Sequence, residues 1–162
     1  MKTSTKIKPT AESDRIIRGH VWASVGIGLI PVPIVDFMGL TGIQINMLRK
    51  IAGLYEVPFF KDAVKNILSS MIGGALPTAV STPLAISMFK VFPIMGQTAG
   101  IVAMPVAGGA TTYAIGKVFV RHFDSGGTFL SFDSEKVKGY YAEMFKEGET
   151  IAADIKDKKS NK

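Results

Sequence analysis

Few of the side chains that carry out chemistry are present in this sequence, and their spacing is informative. Cysteine is absent, which removes thiolate nucleophiles, disulfides and Cys-ligated metals together. Two histidines, His20 and His122, stand far apart at the outer ends of apolar stretches. That placement suits an interfacial position better than a shared metal or an acid–base pair. Serine, histidine and aspartate all occur, but no nucleophile elbow ties them into a triad. Gly26-Ile27-Gly28 opens like a dinucleotide fingerprint, yet position 31 is proline and no strand precedes it. Gly116-Lys117 resembles the end of a phosphate-binding loop, but Thr111 stands where its first glycine belongs and Val118 where Ser or Thr is required. No catalytic residue, cofactor site or metal site is expected, and the chain reads as non-enzymatic.

One carboxylate stands apart. Asp36 is the single formal charge between Gly19 and Leu48, and a carboxylate in apolar surroundings is costly. Gln44, eight residues on, shares roughly its helix face, with Leu40 between them and Leu48 beyond. Two roles are open to Asp36. It can charge the start of the helix that follows Pro33, with Gln44 bonding across a helix pair, or it can belong to an ion or proton path.

The elements that must position these residues follow from charge and proline. Residues 66–116 contain one charge, Lys90, while 31 others fall in the remaining 111 residues. Lys and Arg divide nine, one and nine across these three sections, and the formal net charge is +6. Met1–Arg18 is polar, and no A-x-A-type cleavage site follows it, so a retained cytosolic tail is expected. A helix start is expected at Ser13-Asp14. Pro31-Val32-Pro33 then cuts the first apolar stretch, because proline fixes φ and lacks an N–H. Gly19–Ile30 is about 18 Å as a helix, short of a hydrocarbon core of about 30 Å. A second helix is expected from Pro33 to about Tyr55, ending in a basic turn at Arg49-Lys50, with a further helix starting at Pro58.

Two uncharged runs follow, 66–89 and 91–116, each about 36–39 Å as a helix and long enough to cross a bilayer. Gly96, Gly100, Ala103 and Ala107 place small residues on one face of the second, as closely packed membrane helices do. An antiparallel hairpin is expected, with both basic flanks on the cytoplasmic side. After a turn at Asp124-Ser125-Gly126-Gly127, a last helix is expected over about 134–159. Val137, Tyr141, Met144, Ile151 and Ile155 form its apolar seam, with Gly148 as the gap, flanked by six lysines and six acids. The basic residues edge apolar runs without interleaved aromatics, which argues against nucleic acid.

The block Gly28-Leu29-Ile30-Pro31-x-Pro33, Asp36, Gln44, Met47-Leu48-Arg49, Ala52 and Tyr55, with Tyr113-Ala114-Ile115-Gly116-Lys117, resembles the bacterial YcjF-like family of unknown function. The resemblance covers residues 14–123. It implies membrane association and a working link to a GTPase, here a separate protein because the chain holds no GTPase domain.

The fold class expected is all-α: a Pro-x-Pro-bent helix pair, a Gly/Ala-rich membrane-embedded hairpin and a C-terminal amphipathic helix. Residues 1–13 form a tail, 14–123 a hydrophobic membrane domain and 124–162 the C-terminal helix. The expected partners are the lipid bilayer, further copies of the chain and a cytosolic protein such as a GTPase docked on the α-helical seam. The expected location is the bacterial inner membrane, both termini cytoplasmic. An oligomeric pore or transporter subunit and a soluble helical adaptor remain as alternative readings.

Overall fold

The computed structural model describes residues 9–30, 33–75 and 105–161. Five helices account for nearly all of them: α1 (Pro9–Gly28), α2 (Pro33–Leu54), α3 (Lys61–Ala75), α4 (105–124) and α5 (Ser134–Ser160), with a 3₁₀ turn at Phe129–Ser131. No strand occurs among the described residues. None of their helices is long and apolar enough to cross a membrane.

Helix α1 starts at Pro9, four residues before the expected start at Ser13-Asp14, because proline is favoured in a first helical turn where its missing N–H is no loss. Ser13 lies inside the helix, buried, with its hydroxyl donating to the Thr10 carbonyl at 2.9 Å. The buried stripe of Ser13, Ile17, His20, Val21, Ser24 and Val25 follows the 3.6-residue period. α1 closes in tight i→i−3 bonds from Leu29 and Ile30, and α2 restarts at Pro33. The bend therefore makes an antiparallel pair, with Ile27 facing Gly39 and His20 facing Asn46.

Helix α2 runs past the expected basic turn. Arg49 and Lys50 sit above its last turn, which carries no cation. The helix stops at a Schellman closure: Val57 N–H reaches the Ala52 carbonyl at 2.9 Å, and Glu56 takes φ = 54°. Phe59 and Phe60 extend the link, so α3 begins at Lys61 instead of Pro58. Residues 66–71 of the first uncharged run lie on α3, burying Leu68 and Met71 while Asn66, Ser69 and Ser70 face outward.

Helix α4 is the centre of the bundle. Ala110, Thr112, Tyr113, Ala114, Ile115, Val118 and Phe119 are all buried, the signature of a helix covered on every side. Glycines set its distances from its neighbours. A Cβ on Gly116 would meet Ile17 of α1 at 2.6 Å, and one on Gly109 would meet Val25 of α1 and Ala152 of α5. Residues 105–116, the end of the second uncharged run, are thus surrounded by this chain's own helices.

The α5 seam is partly filled in the same way. Met144 and Ile155 are buried in the common core, and Val137, Tyr141 and Ile151 pack against it. Part of this face is therefore occupied by the chain's own core, while Val137, Tyr141 and Ile151 remain partly exposed. Gly148 is not a gap; a Cβ there would lie 2.9 Å from the Ala110 Cα. Residues on both sides of the expected 123/124 boundary share one core.

Below α4, Phe119, Phe123, Phe129 and Phe132 pack together, with Phe119 and Phe132 stacked at 4.6 Å between ring centroids. Phe59 joins them edge-on to Phe129. The expected turn after His122 is present: Gly126 has φ = 83°, Gly127 N–H bonds the His122 carbonyl, and His122 Nε2–H donates to Thr128 O at 2.8 Å.

Two alanine substitutions on α5 separate close packing from open surface. Gly139 has nothing within 4 Å of a built Cβ, so Gly139→Ala should raise stability by about 0.5–1 kcal/mol through helix propensity. Gly148→Ala should lower it by about 1–3 kcal/mol, because the overlap falls on backbone. Urea unfolding of both variants checks the opposite signs.

Candidate functional site

The polar residues of the α1–α2 pair gather into two networks. In the core, Ser24 and Thr112 share a hydrogen bond at 2.8 Å, and the Gln44 Nε2–H donates to Thr112 Oγ1 at 3.4 Å. All three residues are buried, and the Gln44 Oε1 has no hydrogen-bond partner among the described residues. Gln44 thus does bond across a helix pair, to α4.

The second network reaches the surface. Arg49 Nη2 donates to Asn46 Oδ1 at 3.2 Å, and Arg49 can only donate. This orients the Asn46 amide so that its Nδ2–H points to His20 Nε2, also at 3.2 Å. His20 Nε2 must therefore accept, which assigns the proton to Nδ1, donating to the Ile16 carbonyl at 2.7 Å. The ring is held neutral. Burial lowers its pKa from 6.5, the bond to Ile16 opposes that shift, and Lys50 lowers it further.

His20 and Asn46 form one wall of an open groove of about 410 Å³ between α1 and α2. Arg15 and Lys50 flank its outer end, and Ile16, Ala23 and Ile43 provide apolar surface. Gly19 lies in it with nothing within 4 Å of a built Cβ. The cations of α1 and α2 that the sequence places at the edges of apolar runs meet here across two helices. The sequence places His20 only at the end of an apolar stretch. Neither His20 nor Asn46 carries a motif, and only the antiparallel pairing around Pro-x-Pro brings them together.

The remaining named residues fall as follows. Pro33 and Asp36 lie at the start of α2, with side chains outside the description; Pro31, Gly96, Gly100 and Ala103 lie outside the described residues. Ala107 is half-buried on α4. Tyr55 is partly buried against Phe123, and burial together with Asp124 pushes its phenol up to about 12. Across the bundle, Tyr113 Oη donates to Glu147 Oε1 at 2.7 Å, and Lys117 pairs with Asp14 at 2.8 Å, tying α4 to α5 and α1. Among the described residues no group of three His, Cys, Asp or Glu is placed to hold a metal ion.

The two ends of the bundle differ. At the α1–α2 bend, Leu29, Ile30 and Met38 are exposed, Met38 by 72%. α4 begins at the same end, since a Cβ on Gly28 would meet Pro105 at 2.7 Å. Trp22 stands above, its ring partly exposed and Lys159 Nζ 5.5 Å from the ring centroid and bonded to the Trp22 carbonyl at 2.8 Å. At the opposite end, exposed Phe60 and Leu130 sit among Glu56, Lys61 and Asp62.

Two measurements test the networks. Thr112→Val leaves Ser24 and Gln44 without their shared partner and should cost about 1–3 kcal/mol in urea unfolding. For His20, the unfolded ring takes up its proton near 6.5 and the folded ring at lower pH. Its contribution to stability is complete above 6.5 and declines as pH falls below that value toward the folded pKa. Lowering the pH from about 7 to about 5 should therefore reduce the urea midpoint of the wild type more than that of His20→Gln. Equal slopes would show that His20 is not held neutral.

Against known proteins, the family model described as domain of unknown function DUF697 matches residues 2–149. Magnetosome membrane protein 22 of Magnetospirillum gryphiswaldense is 33% identical over 147 residues, which cover 91% of this chain and 75% of that protein. No solved structure matches. With the Pro-x-Pro bend, Gln44 and the Tyr113–Lys117 segment all lying inside the matched span, the chain belongs to the DUF697 family, with which YcjF-like proteins are associated.

Proposed function

We propose that this protein is a non-enzymatic, one-sided membrane-associated bundle, seated on the inner membrane through the α1–α2 bend with both termini in the cytoplasm. The observation that carries this reading is the exposed Leu29, Ile30 and Met38 at the α1–α2 bend, where Asp36 is the single formal charge between Gly19 and Leu48. Trp22 and Lys159 stand one level above, the order in which an aromatic ring and a cation meet a headgroup layer. The name of the magnetosome relative, a membrane protein, points the same way.

The expected two-span hairpin falls largely on residues 76–104, which lie outside the described residues. α3 and α4 share one core, so they lie on one side of any bilayer. Only residues 76–104 remain between them, 29 residues with the single charge Lys90. Self-association and a cytosolic partner, a GTPase included, would use the opposite end, where Phe60 and Leu130 are exposed among charges.

Because the chain lacks cysteine, single cysteines test this directly. An environment-sensitive fluorophore on Met38→Cys should shift to the blue on vesicles, while the same dye on Leu130→Cys should not. A membrane-impermeant thiol reagent should fail to label Lys90→Cys in intact bacterial cells. Labelling there would restore two full spans, and an unshifted Met38→Cys would remove the bend from the membrane.

A further inference from the structure

The groove between α1 and α2 is a built cleft with a consistent chemistry and no role in packing. Its charged lining is cationic: Arg15 and Lys50 stand at the outer end, and no acid lines it. Lys50 makes no ion pair among the described residues. Arg15 touches Glu12 at 3.3 Å in an exposed pair, a contact weak enough for a phosphate to displace. From these cations the groove passes the neutral His20–Asn46 wall toward Ala23 and Ile43. Beyond them lie Ile27 against Gly39, and then the exposed Leu29, Ile30 and Met38. Charge at one end and apolar surface leading toward the bend is the polarity of a phospholipid, not of a free ion.

We infer that this groove seats one anionic phospholipid, its phosphate between Arg15 and Lys50 and its glycerol and first methylenes along Ile16, Ala23 and Ile43. Gly19 makes room for it. The position has no neighbour within 4 Å of a built Cβ, so a side chain there would occupy the groove without displacing the fold. In a mid-helix position whose surroundings demand no glycine, the residue otherwise costs helix stability. The His20 network keeps the wall rigid and uncharged, since Asn46 and the Ile16 carbonyl use both ring nitrogens. The wall therefore adds no charge to Arg15, Lys50 and the Glu12 carboxylate that a phosphate would displace from Arg15. This inference rests on the membrane reading above, and its test is arranged so that the two fail separately.

Flotation of the full chain with vesicles of phosphatidylcholine alone, and with about 30% phosphatidylglycerol added, measures both terms. The wild type should float with each and prefer the anionic vesicles. Lys50→Gln should reduce that preference about five-fold, the effect of one near-surface cation. Gly19→Leu changes no charge and gains helix propensity, yet it should abolish the same preference while leaving binding to phosphatidylcholine unchanged. If Gly19→Leu keeps the full preference, the attraction is diffuse and the groove is not a lipid site. If millimolar inorganic phosphate removes the preference at constant ionic strength, the site takes a soluble anion and the lipid assignment falls. If the wild type floats with neither vesicle, the membrane reading itself fails.

Discussion

Helix α4 can occupy the middle of this bundle only because three glycines let its neighbours come within backbone distance. Gly116 admits Ile17, Gly109 admits Val25 and Ala152, and Gly148 of α5 lies over Ala110. At such spacings helices gain dispersion contacts along their backbones, which close packing rewards collectively. Around that axis the other features fall into place. α1 runs antiparallel to α4, with Asp14 beside Lys117 at one end and Gly28 beside Pro105 at the other. α5 returns along both, its Lys159 reaching the Trp22 carbonyl. The apolar bend, the start of α4 and the end of α5 are therefore gathered at one pole, and the phenylalanine cluster closes the other.

Within this apolar frame the few polar contacts fix register. Ser24, Thr112 and Gln44 meet only when α1, α2 and α4 are correctly aligned along their axes. A slip of one turn would bury three polar groups without partners, at about 1–3 kcal/mol each. The orphaned Gln44 oxygen shows that even the native alignment leaves one acceptor unmet among the described residues. His20, Asn46 and Arg49 play the same part at the surface, and their order of donors and acceptors leaves the imidazole one protonation state.

Much of this was legible in the residues, and the failures have physical causes. Pro31 and Pro33 announce the bend because proline acts through local backbone geometry. Gly126 announces the turn after α4 through its positive φ. The α5 seam was legible as a stripe, but an apolar stripe does not identify what covers it, and here the same chain covers part of it. Gly148 read as a gap because periodicity counts side chains, whereas close approach depends on their absence. The run 91–116 read as a membrane span because hydropathy cannot separate lipid from protein as the apolar surroundings of a helix. Its last twelve residues, 105–116, have protein around them. The helix starts differ from expectation at Pro9, where proline suits a first helical turn, and at Lys61, where Phe59 and Phe60 extend the link. The groove was illegible, since no local signal pairs Arg15 with Lys50 before the hairpin is folded.

The charge map acquires a different cause once the core is known. Basic flanks around an uncharged middle suggest orientation by the positive-inside rule. In the folded chain, segments from both flanks interlock, Asp14 with Lys117 and Trp22 with Lys159. A single core cannot have a bilayer between its halves. Whatever residues 76–104 do, the chain before and after them must lie on the same side, and packing alone imposes this. The cations are then not needed to hold the two flanks on one side, and bear only on which side that is. Their placement is explained by where they end up: Lys117 and Lys159 fasten helices to one another, and Arg15 and Lys50 flank an open groove that leads toward an apolar pole.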